Sequence, residues 1–259
     1  MQTLKDRLIL VTGASAGIGE ACARRFAGDG ADLVLWARRE DRLVSLAEEL
    51  HRKYGAKVET KRVDVRDRKG VAHEAAALVE AGRVPDILLN NAGLASGLDL
   101  LHEGDYDDWD RMIDTNVKGL LNVSRELLPH MVARGTGHVL NIGSTAGHQV
   151  YPRGNVYNAT KYAVRALTEG MNLDVAGTRV RVSSVDPGFV ATEFSRVRFH
   201  GDDARAESVY RGFQPLSADD VADCVHFVIT RPEHVNVHDI VLLPTAQRNV
   251  YVLDRGKSH

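Results

Sequence analysis

Long apolar runs are missing from this sequence: none approaches the roughly 20 residues that a membrane span requires. The basic start, with Lys5 and Arg7 ahead of Leu8-Ile9-Leu10-Val11, has the outline of a secretory signal. Its apolar run stops at Thr12-Gly13, so it reads as a strand instead. Cysteine is scarce as well. Cys22 and Cys224 lie far apart in segments of helical pattern. They read as buried thiols of a reducing compartment rather than as a disulfide or a metal pair. A surplus of one charge is also missing. The 33 Lys and Arg against 35 Asp and Glu leave a formal charge of −2. That balance argues against nucleic acid or a membrane surface as the main partner. Flexible linkers and internal repeats are absent too. What remains, 44% hydrophobic and 26% charged, is the composition of an ordinary globular enzyme. Its expected location is the cytoplasm. At 259 residues the chain has room for one large α/β domain or two small ones.

Apolar runs alternate with helical patterns from end to end. Leu8–Val11, Asp32–Trp36, Val58–Val63, Ile87–Leu89, Val139–Ile142, Val180–Val185 and Ile240–Leu243 read as seven strands. Ile18–Asp29, Glu40–Tyr54, Lys69–Ala81, Trp109–Ala133, Val156–Val175 and Ala218–Ile229 read as helices between them. Such alternation predicts a parallel sheet covered on both faces, its short apolar strands buried on both sides. The expected fold is a single-domain, doubly wound α/β Rossmann fold over 1–259. The pattern becomes irregular only from Asp186 to Leu216, between Pro187-Gly188 and Pro215. A long irregular connection after a strand's carboxyl end is where a compact α/β domain places a functional lid.

The run Thr12-Gly13-Ala14-Ser15-Ala16-Gly17-Ile18-Gly19 follows the first strand and opens the first helix, the context a dinucleotide turn requires. The spacing is GxxxGxG rather than the commoner GxGxxG. Gly13 permits a tight turn, Gly17 close approach of a pyrophosphate and Gly19 close helix packing, while the helix N-terminus offers N–H donors to phosphate. The second strand ends Leu35-Trp36-Ala37-Arg38-Arg39, with alanine where an NAD site places a carboxylate. Arg38 and Arg39 suit a 2′-phosphate, so NADP is the expected cofactor. Asp64-Val65 and Asn90-Asn91-Ala92-Gly93 end the third and fourth strands on the same side. Asp64 would accept from the adenine amino group, and Asn91, Ala92 and Gly93 would line the adenosine ribose. Turn chemistry alone also accounts for Asn-Ala-Gly.

Tyr157 and Lys161, four residues apart, share one face if their segment is helical. An ammonium there would help ionise a phenol. Moving a tyrosine from about 10 to about 7 takes roughly 4 kcal/mol. One cation about 4 Å away supplies roughly 1 kcal/mol in water but about 4 at an effective dielectric of 20. The pair therefore works only in a shielded site.

Together these motifs resemble the short-chain dehydrogenases/reductases, in order and over nearly the whole chain: Thr12–Gly19, Asp64, Asn90–Gly93, Asn116, Ser144, Tyr157/Lys161 and Pro187-Gly188. A narrower resemblance is to the NADP-dependent 3-hydroxy acid dehydrogenases that oxidise serine and L-allo-threonine. It rests on Met112-Ile-Asp-Thr-Asn-Val-Lys-Gly119, Asn141-Ile-Gly-Ser-Thr-Ala-Gly147, Gly154-Asn-Val-Tyr157, Thr192-Glu-Phe-Ser195, Val197-Arg-Phe199, Gly201-Asp202 and Pro244-Thr-Ala-Gln247. The resemblance implies that Tyr157 is the general acid/base and that Ser144 holds the substrate oxygen. It implies that Lys161 binds the nicotinamide ribose and depresses the tyrosine's pKa. Asn116 would bend its helix and anchor a proton-relay water. Pro187, Gly188, Val190 and Thr192 would complete the cofactor contacts, and the assembly would be a homotetramer. A 3-hydroxy acid requires a cation for its carboxylate; Arg198 is the first candidate and Arg153 the second. His148-Gln-Val-Tyr-Pro-Arg153 departs from the small and aromatic residues of the subgroup, which leaves the preferred substrate open. A 3-oxoacyl-carrier reductase, a broad carbonyl reductase and a non-catalytic NADP-binding protein are the alternatives. His234 and His238 flank the start of the last strand without a third ligand, and no metal is expected.

Overall fold

In the computed structural model, which describes residues 3–256, the apolar runs become one seven-stranded parallel sheet. Both ends of the expected 1–259 domain lie outside the described residues. The strands are β1 (Leu8–Thr12), β2 (Asp32–Ala37), β3 (Val58–Arg62), β4 (Ile87–Asn90), β5 (Thr136–Ile142), β6 (Arg179–Pro187) and β7 (Asp239–Leu242). Their order is β3-β2-β1-β4-β5-β6-β7, every pair parallel. Alternate residues of the central strands feed opposite cores. Ile9, Val11, Leu33 and Leu35 pack with helices α1 (Gly17–Gly28), α2 (Glu40–Tyr54) and α9 (Ala218–Ile229). Leu10, Val34 and Trp36 pack on the other face with α3 (Arg68–Glu80), α5 (Leu120–Arg134) and α6 (Asn155–Asp174). This two-sided burial explains why the inner strands read as unbroken apolar runs. The edge strands β3 and β7 are only part-buried.

The sequence pattern predicted one helix over Trp109–Ala133. The chain instead forms α4 (Tyr106–Ile113), a π-helical turn at Asp114–Gly119, and then α5. The wider turn surrounds Asn116, which is 2% exposed and bonded sideways to the loop after β4. Apolar periodicity persists through such a turn, so the sequence pattern does not reveal it. The irregular Asp186–Leu216 connection also carries two short helices, α7 (Phe194–Arg198) and α8 (Asp203–Ser208). Cys22 and Cys224 lie on α1 and α9, which pack together; both are free thiols, and burial pushes both pKa values up. No helix among the described residues is long and apolar enough to cross a membrane.

The strand order reverses between β2 and β4 on either side of β1. An open parallel sheet splays its connections apart at such a point and leaves a crevice at the carboxyl ends. The residues singled out in the sequence follow those carboxyl ends.

Candidate active site

A cleft of about 620 Å³ opens above the carboxyl ends of the strands. Gly13, Ser15, Ala16, Gly17 and Ile18 line one end of it. Gly13 (φ +66°) and Gly17 (φ +56°) take left-handed conformations that a side chain resists. A Cβ on Gly13 would also lie 2.9 Å from the Ala92 Cα. The N-cap of α1 is Ala16, which has no side chain able to cap, so the first N–H groups of the helix remain for a ligand. This uncapped terminus beside two left-handed glycines fits a dinucleotide pyrophosphate.

Three residues of the expected cofactor set lie behind the cleft rather than along it. The Thr12 hydroxyl accepts from the Asn91 and Ala92 N–H groups at 3.0 Å each and donates to the Leu89 carbonyl at 3.3 Å. It splices the β1 turn to the β4 turn. Ala14 is fully buried, and Gly19 packs where a Cβ would meet the Gly13 carbonyl oxygen at 2.6 Å. Asn91 lines the cleft but donates to the Thr12 and Gly13 carbonyls at 2.9 and 3.2 Å. Asp64, beside Val65 on the wall, is chelated by Arg66, whose guanidinium holds its carboxyl below the usual range. An adenine would have to share that carboxylate with Arg66.

Arg38 and Arg39 both reach the cleft. Arg38 makes no hydrogen bond or ion pair among the described residues. Arg39 donates to the Ser15 hydroxyl at 3.2 Å and to the Glu193 carboxylate at 2.9 Å. Arg42, a turn further along α2, donates to the other Glu193 oxygen at 2.9 Å. The end of β2 has no acid of its own, as the sequence shows, but a distant one competes for Arg39. Glu193, 154 positions from Arg39, supplies the acid, and the two guanidinium groups hold its pKa down. Sequence reasoning missed both Arg42 and Glu193; their link is purely tertiary.

At the other end of the cleft, Tyr157 and Lys161 project from one face of α6 beside Ser144 at the end of β5. Tyr157, Lys161 and Ser144 are 9%, 7% and 8% exposed, which provides the shielding that a cation needs to act strongly on a phenol. Lys161 Nζ donates to the Ile142 carbonyl at 2.9 Å and lies 5.9 Å from the Tyr157 ring centre. Burial pushes the ammonium down to about 8, against the opposing pull of Asp186. Burial pushes the Tyr157 phenol up, and the Arg198 guanidinium is the first group opposing that rise, ahead of the Ser144 hydroxyl. Arg198 thus joins Lys161 as a second cation beside the tyrosine, one whose action the sequence did not suggest.

Asn116 stands just behind this group. Its amide closes a reciprocal pair with the Leu94 backbone, accepting from N–H and donating to the carbonyl at 2.8 Å each, and donates to Thr160 Oγ1 at 3.0 Å. Arg198 lies over Tyr157, 4.9 Å from its ring centre, and donates to the Tyr151 hydroxyl at 2.8 Å. Its Nε is buried without a partner. Arg153 is exposed, at φ +67°, and lines a small side cavity instead of the main cleft. Pro187, Gly188, Val190 and Thr192 complete the far wall. His148, with Asp186 and Asp239, forms a close cluster that the sequence pattern did not anticipate.

Comparison with known proteins agrees with this geometry. The family model described as short chain dehydrogenase matches residues 7–203. The chain is 45% identical over 241 residues, 93% of its length and 96% of the relative's, to the NADP-dependent 3-hydroxy acid dehydrogenase YdfG of Salmonella typhi. It is 44% identical over 250 residues to sulfoacetaldehyde reductase 2 of Chromohalobacter salexigens, covering 96% of this chain and 98% of that one. Among solved structures it resembles the closed form of serine dehydrogenase complexed with NADP+. The two share 43% identity at a TM-score of 0.88, over 94% of this chain and 97% of the other.

Proposed function

The chain belongs to the short-chain dehydrogenase family, and from that premise we infer an NADP-dependent oxidoreductase that interconverts a small 3-hydroxy acid, such as serine or L-allo-threonine, and the corresponding aldehyde or ketone. The observation that carries this reading is the placement of Arg198, with its unpartnered buried Nε, over the ring of Tyr157. A guanidinium so placed binds a carboxylate while the tyrosine meets the carbinol oxygen.

Bound NADP supplies the nicotinamide that accepts or returns the hydride. The chain's own residues do the rest. The turn at Gly13–Gly17 and the uncapped start of α1 hold the pyrophosphate, and Arg38 and Arg39 hold the 2′-phosphate. Ser144 orients the substrate oxygen by a hydrogen bond. Tyr157 removes its proton in oxidation and returns it in reduction. Lys161 binds the nicotinamide ribose, and its ammonium stabilises the phenolate together with Arg198. Asn116, fixed by the Leu94 backbone, anchors the water through which Lys161 exchanges protons. Residues 186–216, apart from Asp186 and Pro187, which end β6, act as the lid that carries Arg198, and the chain works as one catalytic unit. Assembly as a homotetramer in the cytoplasm belongs to the same proposal; light scattering would test it by finding a mass of four chains.

Steady-state reduction of NADP+ tests the substrate class. L-Serine, L-allo-threonine and 3-hydroxybutyrate are expected to be oxidised. Sulfoacetaldehyde, named by one relative, is also a short anionic carbonyl compound and belongs in the panel for reduction. Preference for a 3-oxoacyl carrier or for apolar ketones would reject the small-acid reading. The cofactor site has its own test. A charged hydrogen bond contributes roughly 1.5–3 kcal/mol, so Arg38→Ala is expected to weaken NADP(H) about ten- to a hundredfold in calorimetric titration. NAD(H) should be spared, and equal losses for both would remove Arg38 from the phosphate site.

A further inference from the structure

A buried carboxylate at the end of β6 has no role in the mechanism above. Asp186 is 1% exposed, and its oxygens are held by the Ser184 hydroxyl and the His148 ring. Burial pushes its carboxyl up, and the Ser184 hydroxyl and the His148 ring oppose that rise, the hydrogen bonding that a buried anion requires. The neighbouring backbone makes room for it. Gly143 donates its N–H to the Val185 carbonyl at 2.9 Å, and a Cβ on Gly143 would run into the Asp186 carboxylate. Gly143 sits between Ile142, whose carbonyl accepts from Lys161 Nζ, and Ser144. Carboxylate and ammonium thus press against consecutive residues of one strand end.

We propose that Asp186, held by Ser184 and His148, is a positioning residue: the fixed counter-charge that keeps Lys161 protonated and sets the pH range of proton transfer at Tyr157. The proposal rests on the reading of Tyr157 and Lys161 as the acid–base pair. The charges that face the group are few. α6 presents Tyr157 and Lys161; the turn after β5 presents Ser144 and His148. β7 presents Asp239, 3.9 Å from His148 Nε2, and α7 presents Arg198. Asp186 opposes the burial that pulls Lys161 down, and it adds to the rise of Tyr157. Both effects have the same sign. Neutralising Asp186 disfavours the ammonium and favours the phenolate, so both groups then lose their protons at lower pH.

Asp186→Asn removes the charge with little change of shape, and Asp186→Glu keeps it. Two profiles decide: NADP+ affinity by calorimetry against pH, and kcat/KM for 3-hydroxy acid oxidation against pH. In the native protein NADP+ affinity should fall as pH passes about 8, where Lys161 loses its proton. In Asp186→Asn that fall and the acid limb of kcat/KM should each move about half a unit to one unit lower. Asp186→Glu should leave both limbs where the native protein has them. Unmoved limbs in Asp186→Asn, even with reduced kcat, would overturn the proposal and leave Asp186 a purely architectural residue. If Asp186→Asn does not fold, Asp186→Ser carries the same neutral test. Persistence of the alkaline fall in Lys161→Ala would instead count against the role of Lys161 itself, which keeps the two failures apart.

Discussion

Tyr157→Phe is expected to reduce turnover by about 10²–10⁴-fold, the range that a positioned acid–base group contributes, while leaving the fold and NADP(H) affinity close to native. The ring does the packing: its edge meets Phe194 at 5.7 Å between centres, and the Arg198 guanidinium lies over it. Phenylalanine keeps both contacts and loses only the hydroxyl. Single-turnover kinetics report the chemical step, fluorescence titration the cofactor, and thermal unfolding the fold. Native-like turnover in a folded Tyr157→Phe protein would move the proton transfer to another group.

Arg198→Ala should separate substrates by charge. Its guanidinium carries one buried, unpartnered N–H and one bond to Tyr151, a geometry poised to receive an acceptor. Removing one partner of a buried charge pair costs about 2–5 kcal/mol. For 3-hydroxy acids kcat/KM is therefore expected to fall about 10²–10³-fold, and for neutral alcohols of similar size much less. Arg198 also opposes the upward push of burial on Tyr157, so its loss should move the acid limb to higher pH for every substrate. The comparison belongs on the pH plateau, where that common effect drops out. Arg153→Ala is the control, because Arg153 faces outward beside the cleft and should leave the charge preference intact. Equal losses for acids and alcohols in Arg198→Ala would assign Arg198 to lid packing alone.

Much of this site is visible in the sequence because its parts are local. The glycine turn lies between a strand and a helix, and Tyr157 and Lys161 are one helical turn apart, so their shared face follows from periodicity. The parallel sheet covered on both faces follows from the alternating patterns, whereas the strand order β3-β2-β1-β4-β5-β6-β7 is seen only in the structure. Other features resist such a reading for physical reasons. The π-helical turn at Asn116 keeps an apolar pattern compatible with a continuous helix, and only the sideways bonds to Leu94 reveal it. Glu193 meets Arg39 and Arg42 through folding of a distant connection. The capture of Asp64 by Arg66, two residues on, was within reach of sequence reasoning, because a strand-end aspartate followed by arginine forms a compact turn. Arg198 was selected from its motif, but its position over the tyrosine depends on α7, a helix too short for periodicity to mark.

The measurement that tests the mechanism most directly is NADP+-dependent kcat/KM of the native protein for L-allo-threonine beside a neutral secondary alcohol of the same carbon skeleton. A carboxylate held by Arg198 while Tyr157 takes the proton predicts a preference of at least about a hundredfold for the acid, the equivalent of one buried charged contact. Equal or better turnover of the neutral alcohol would contradict it and leave a general carbonyl reductase in this cleft.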